Sequence, residues 1–80
     1  MSESEVFEFL RAQVQALTGL DPARIQPGSR LIDLGLDSAK AIDVVASAED
    51  RFDLDVPDRV LVESEDLGQL ARWIEERRGG

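Results

Sequence analysis

The chain has 80 residues, with 17 Asp and Glu against 9 Lys and Arg, a net charge of −8, and neither cysteine nor histidine. One domain of this length buries only about 60% of its unfolded surface, so its core is small. The absence of thiol and imidazole argues against a disulfide scaffold, a thiol enzyme, a Ser-His hydrolase and a metalloenzyme.

The acidic balance repels nucleic acid and anionic membranes and attracts basic partner surfaces, although solubility alone would also account for it. The first residues, Met-Ser-Glu-Ser-Glu, lack the apolar core of a signal peptide. No apolar run approaches the roughly 18 residues of a membrane span. A single domain over residues 1–80, cytoplasmic and monomeric, is expected.

The first helix is expected from Glu3 to Leu17. Ser2 and Glu5 have capping-box spacing, and Val6, Leu10, Val14 and Leu17 recur at helical intervals as a core stripe flanked by Phe7 and Phe9. Gly19 ends it. Gly19 to Asp37 then reads as one long connection, with a short helical turn at Asp21-Pro22 and a turn at Pro27-Gly28-Ser29. Ile25, Leu31 and Leu34 are expected to dock it onto the core. A connection this long in so small a domain is uncommon unless it has a function.

The second helix is expected from Ser38 to Phe52, N-capped by Asp37. Val44, Val45, Ala48 and Phe52 form its buried stripe, joined by Ala41, while Ile42 and Ala46 lie on a neighbouring, partly exposed face. From Asp37 to Asp55 there are six acids and two bases, a local charge of −4. Val56-Pro57 breaks the pattern. Asp58–Val62 is too short to be helical unaided. Asp66 with Gln69 opens the last helix, with Leu67, Leu70, Ala71 and Ile74 as its apolar face and Trp73 half exposed beside it. Gly68 costs it helix propensity, and Gly79-Gly80 frays. The whole reads as an all-α four-helix bundle of three longer helices and one short one.

Ser38 stands out at the junction of loop and helix, at the positive end of a helix dipole, a good place for a phosphate. As a nucleophile it has no histidine to activate it, and Lys40, two residues on, points elsewhere. A structural serine that merely starts the helix is the bland alternative. Asp53-Leu54-Asp55-Val56-Pro57-Asp58 is no calcium loop: Asp58 stands where glycine is needed, and Ser64 where the twelfth-position glutamate belongs. No metal site is expected beyond weak divalent binding to the acidic surface.

Leu34-Gly35-Leu36-Asp37-Ser38, followed by Ile42-Asp43-Val44, Glu49-Asp50, Phe52 and Val56-Pro57-Asp58, resembles the acyl carrier protein family over essentially the whole chain. The resemblance implies that a phosphopantetheinyl transferase moves 4′-phosphopantetheine from coenzyme A onto Ser38, and that acyl groups ride as thioesters on the arm. It implies a carrier that is not itself an enzyme. Asp37 and Gly35 would support the motif, Asp37 by fixing the helix start and Gly35 by permitting a tight backbone approach before the serine. By the same resemblance the second helix meets its partners, an acyl-loading enzyme and a ketosynthase among them. Asp43, Glu49 and Asp50 would face basic patches, and Ile42 and Ala46 would supply apolar contacts. The short Asp58–Val62 piece would move to admit an acyl chain.

The chain departs from the family pattern at Ala39, where leucine or methionine is typical, and at the small Ala46 and Ala48. Lys40 and Arg51 dilute the acidic face. These departures point to a specialised partner set contacting the Ala39 region, and to extra internal room. The Leu-Gly-Leu-Asp-Ser form favours an acyl over an aminoacyl or peptidyl carrier. The initial Met and short tail fit a discrete protein, and eight arginines to one lysine fit a GC-rich bacterial source and a polyketide or related natural-product pathway. Primary fatty-acid synthesis is the alternative. A small acidic helical interaction module is the rival of another class.

Overall fold

The computed structural model describes residues 4–78. Within them lie four helices: α1 (Glu5–Thr18), α2 (Ser38–Phe52), α3 (Asp58–Glu63) and α4 (Leu67–Arg78). Two 3-10 turns, Pro22–Arg24 and Ile32–Leu34, interrupt the long connection between α1 and α2. The architecture is the expected all-α bundle, in which α1 packs against both α2 and α4.

α1 starts at Glu5, two residues later than the expected start at Glu3. Its cap is Ser4, whose hydroxyl accepts the Phe7 N–H at 2.9 Å; the Ser2 cap expected from the sequence lies outside the described residues, as do Gly79 and Gly80. Gly19 caps the other end, its N–H bonded to the Gln15 carbonyl. Val6, Leu10 and Val14 are fully buried, but Leu17, the fourth member of the expected stripe, is 36% exposed. It falls on the last turn of α1, where it lines a surface depression with Leu20, Leu34 and Lys40. Phe52, expected in the buried stripe of α2, is only half-buried, because α2 ends there and its ring packs at the edge of the core.

The long connection is held at several points. Ile25 is fully buried and Leu34 and Leu36 nearly so. The start of α4 clamps its middle: Leu67 N–H donates to the Ser29 carbonyl at 3.1 Å and Gly68 N–H to the Pro27 carbonyl at 2.7 Å. First-turn amides of a helix have no partner inside it, and here the loop supplies two. Gly68, unfavourable in a helix by propensity alone, has a steric reason: a Cβ there would lie 2.8 Å from the Pro27 carbonyl oxygen. The expected cap of α4 forms at Asp66, whose carboxylate accepts the Gln69 N–H at 2.8 Å, while the Gln69 side chain reaches back to the Glu65 N–H.

The far end of α2 is fastened to its neighbours. Arg51 and Arg78 both pair with Glu5 at 3.1 Å. Both guanidinium groups lie over the Phe52 ring, which meets Phe9 edge-on at 5.4 Å. Arg51 is therefore turned toward the bundle base, away from the first turns of α2.

Candidate functional site

Ser38 is the first residue of α2, a 15-residue helix. Asp37 supplies the cap expected of it: extended backbone, with its carboxylate accepting the Lys40 N–H at 2.9 Å and its carbonyl the Ala41 N–H at 2.9 Å. Ser38 is exposed, and among the described residues nothing hydrogen-bonds its hydroxyl. The helix leaves the N–H groups of its first turn unpaired within it, so partial positive charge gathers beside that hydroxyl.

The chain arrives at Ser38 through a second turn. Gly35 closes the Ile32–Leu34 turn in the left-handed conformation, φ 79°, its N–H bonded to the Ile32 carbonyl at 3.1 Å. A Cβ at Gly35 would meet nothing within 4 Å. Glycine is thus required by the sign of φ, and the tight backbone approach expected from the sequence is not the reason for it. Leu36 then turns inward and is buried, which sends Asp37 and Ser38 outward.

Beside Ser38 lies an open groove of about 760 Å³, lined by Leu31, Ile32, Leu36, Ile42, Leu61 and Val62 among others. Three of these are large and exposed: Ile32 at 79%, Ile42 at 54% and Val62 at 83%. The long connection, α2 and α3 each contribute one of them to this single mouth, at the edge of which Ser38 stands. Sequence reasoning singled out only Ile42. Ile32 and Val62 had a detectable signal, being large aliphatic residues that fit no buried helical stripe.

The remaining residues singled out from the sequence spread along α2. Ala39, Asp43, Ala46 and Asp50 are exposed. Ala39 neighbours Ser38, so its missing bulk is lost from the surface and not from the core. Ala48, also small, is fully buried. Asp43 and Asp50 are free to meet a partner. Glu49 differs: its carboxylate accepts the Val56 N–H at 2.7 Å, a contact that residue type and spacing did not reveal. Ala46 and Glu49 both line a second, acidic depression with Asp50, Asp53, Leu54 and Asp55.

A phosphate ester at Ser38 fits this geometry. Its hydroxyl projects from a helix N-terminus into solvent, next to an apolar groove that an elongated, partly apolar group can follow. The carboxylate of the preceding residue, Asp37, is already engaged by the Lys40 backbone amide.

Comparison with known proteins bears on the same region. Residues 8–74 match the family described as the phosphopantetheine attachment site. The chain is 35% identical over 66 residues, 82% of its length, to "Non-reducing polyketide synthase AC" of Didymella fabae, and spans about 2% of that protein. It is 24% identical over 74 residues, 91% of its length, to "Acyl carrier protein" of Helicobacter pylori (strain J99), of which it covers 95%.

Proposed function

The chain belongs to the phosphopantetheine attachment-site family, which carries 4′-phosphopantetheine covalently, and from this premise we propose that Ser38 is the attachment residue of an acyl carrier. The observation that carries this reading is the placement of Ser38: an exposed, uncommitted hydroxyl at the N-terminus of α2, on the rim of the apolar groove. A dedicated phosphopantetheinyl transferase would join the Ser38 oxygen to the phosphate of coenzyme A's pantetheine arm, releasing the adenosine bisphosphate portion. When bound, the group supplies a terminal thiol that holds acyl chains as thioesters.

The chain's own residues then position and present. Asp37 sets the start of α2, and the first-turn amides stabilise negative charge at Ser38 by about 0.3–1 kcal/mol. Ile32, Ile42 and Val62 line the apolar path that leads away from the serine. Asp43 and Asp50 offer charge to basic partner surfaces, steering encounters weakly and salt-sensitively, as suits a carrier that must leave each enzyme quickly. The protein catalyses nothing itself in this reading; loading enzymes and a ketosynthase supply the acid-base groups it lacks.

Residues 1–80 act as a single carrier domain, monomeric and cytoplasmic, in a bacterial polyketide or related natural-product pathway. The polyketide part is supported by the synthase relative. The acyl carrier relative supports the alternative of primary fatty-acid synthesis.

Incubation with coenzyme A and a promiscuous transferase is expected to add the mass of one phosphopantetheine, and none to Ser38→Ala. A protein that stays unmodified with several transferases would overturn the assignment and favour an acidic interaction module.

A further inference from the structure

Lys40 is the one lysine in the chain, against eight arginines, with neither cysteine nor histidine. A guanidinium stays protonated and does not attack a carbonyl carbon, whereas an amine that sheds its proton does. The Lys40 amine is therefore the single nitrogen nucleophile that the side chains of this protein offer. It stands two residues after Ser38, in the first turn of α2. In an ideal helix two such Cα atoms are roughly 5–6 Å apart and face nearly opposite sides of the axis.

Two features leave this amine available. The Asp37 carboxylate accepts the Lys40 backbone N–H and so fixes where the residue stands. The side chain itself is exposed, and among the described residues no carboxylate pairs with its ammonium.

Lys40 also borders a second depression, of about 330 Å³, with Leu17, Leu20, Asp33, Leu34 and Gly35. Gly35 lines the groove beside Ser38 as well. The left-handed turn at Gly35 is thus a rim between two hollows, with Ser38 on one and Lys40 on the other. Leu17 and Leu20 are the accessible apolar walls of the second hollow, Leu17 being exposed and Leu20 half-buried.

We propose that Lys40 is an acyl-acceptor site: its amine takes the acyl group from a thioester carried at Ser38, and Leu17 and Leu20 seat the acyl chain during the transfer. This rests on the carrier reading of Ser38. The neutral amine attacks the thioester carbonyl carbon. A C–N bond forms as the C–S bond breaks, and the proton lost by nitrogen goes to the departing sulfur. Thioester and amine become amide and thiol, with no oxidant, reductant or second substrate. Attachment two residues away makes the encounter intramolecular, with an effective concentration in the millimolar range for a short flexible link. The exchange runs one way, because an amide is more stable than a thioester. Each molecule undergoes it once, so it is self-modification and not turnover. It sets a time limit on cargo: an acyl group that waits too long is moved to Lys40, and the thiol is freed.

Mass spectrometry on carrier loaded with hexanoyl or acetyl groups tests it. Loading is confirmed first by mass, so that a failure of Ser38 to accept the arm is seen separately and overturns the carrier reading. The loaded protein is held in mildly alkaline buffer and then treated with hydroxylamine, which strips thioesters and leaves amides. One acyl group is expected to remain, mapped by fragmentation to Lys40, and Lys40→Arg is expected to lose this product. The rate is expected to be unchanged on dilution, and isotope-labelled unloaded protein in the same tube to stay unacylated. Leu17→Ser is expected to slow hexanoyl transfer several-fold and to leave acetyl transfer as it was. In the unloaded protein, hexanoyl-pantetheine added in solution is expected to shift the methyl resonances of Leu17 and Leu20. A loaded wild-type protein without a hydroxylamine-stable acyl group, or an equal yield of it in Lys40→Arg, overturns Lys40 as the acceptor. Transfer that scales with protein concentration overturns the tethered route. Leu17→Ser acting alike on both acyl groups, or Leu17 and Leu20 methyl resonances that do not move, overturns the hollow as the acyl seat.

Discussion

Two glycines show how differently one residue type is constrained. At Gly68 the constraint is space: a Cβ 2.8 Å from the Pro27 carbonyl oxygen forces α4 away from the loop it clamps. Gly68→Ala is therefore expected to lower stability by roughly 1–3 kcal/mol in urea denaturation, despite the better helix propensity of alanine. At Gly35 the constraint is φ alone, and Gly35→Ala is expected to cost about 1–2 kcal/mol by the same measurement, the strain of a left-handed alanine. Asp37 caps α2 through one hydrogen bond, so Asp37→Ala is expected to cost about 1 kcal/mol and to loosen the turn that presents Ser38. The position of Ser38 and its cap were legible in the sequence, because the motif, cap and helix start are local. The roles of Gly68 and Glu49 were not, since Pro27 is 41 residues away from Gly68 in the chain, and Val56 reaches Glu49 only because α2 ends in a left-handed turn at Asp53.

The four helices follow from periodicity, yet they differ in what keeps them helical. α1, α2 and α4 each bury an apolar stripe, whereas α3 exposes Val62 and keeps one residue in the core. The long connection was readable as docked, from Ile25, Leu31 and Leu34, but its clamp was not: the amides that hold it belong to α4. The base of the bundle is tied by Glu5 to Arg51 and Arg78, whose guanidinium groups also cover Phe52. Because Glu5 is more than half exposed, screening limits its worth. Glu5→Gln is expected to lower the midpoint of thermal unfolding only slightly, by less than about 1 kcal/mol in stability, and the difference is expected to vanish in 1 M salt. A loss that persists in high salt would show that Glu5 acts through packing.

Over the whole molecule, a net charge of −8 on 80 residues opposes compaction by self-repulsion. Salt and divalent cations are accordingly expected to raise the thermal midpoint, divalent ions at lower concentration than sodium. A midpoint that does not respond to either would mean that the acids are already balanced within the fold. The repulsion is concentrated along α2 and the α2–α3 connection, the surface best placed to be relieved by a basic partner. Ser38 and the Glu5 cluster stand at opposite ends of α2, about 21 Å apart along a 15-residue helix. The Ser38 end is exposed, while the other is fastened by Glu5.

The sequence by itself determined the class, the number of helices, most of the core and the one serine worth testing. Each of these rests on short-range order: helical spacing, a cap beside its helix, a motif of adjacent residues. Only the tertiary structure decided that Ile32, Ile42 and Val62 form one groove at Ser38, that Gly68 is shaped by Pro27, and that Glu49 faces Val56 as well as solvent. These are contacts between elements, set by how small apolar stripes pack and by which backbone amides remain unpaired when they have done so. No local pattern encodes them.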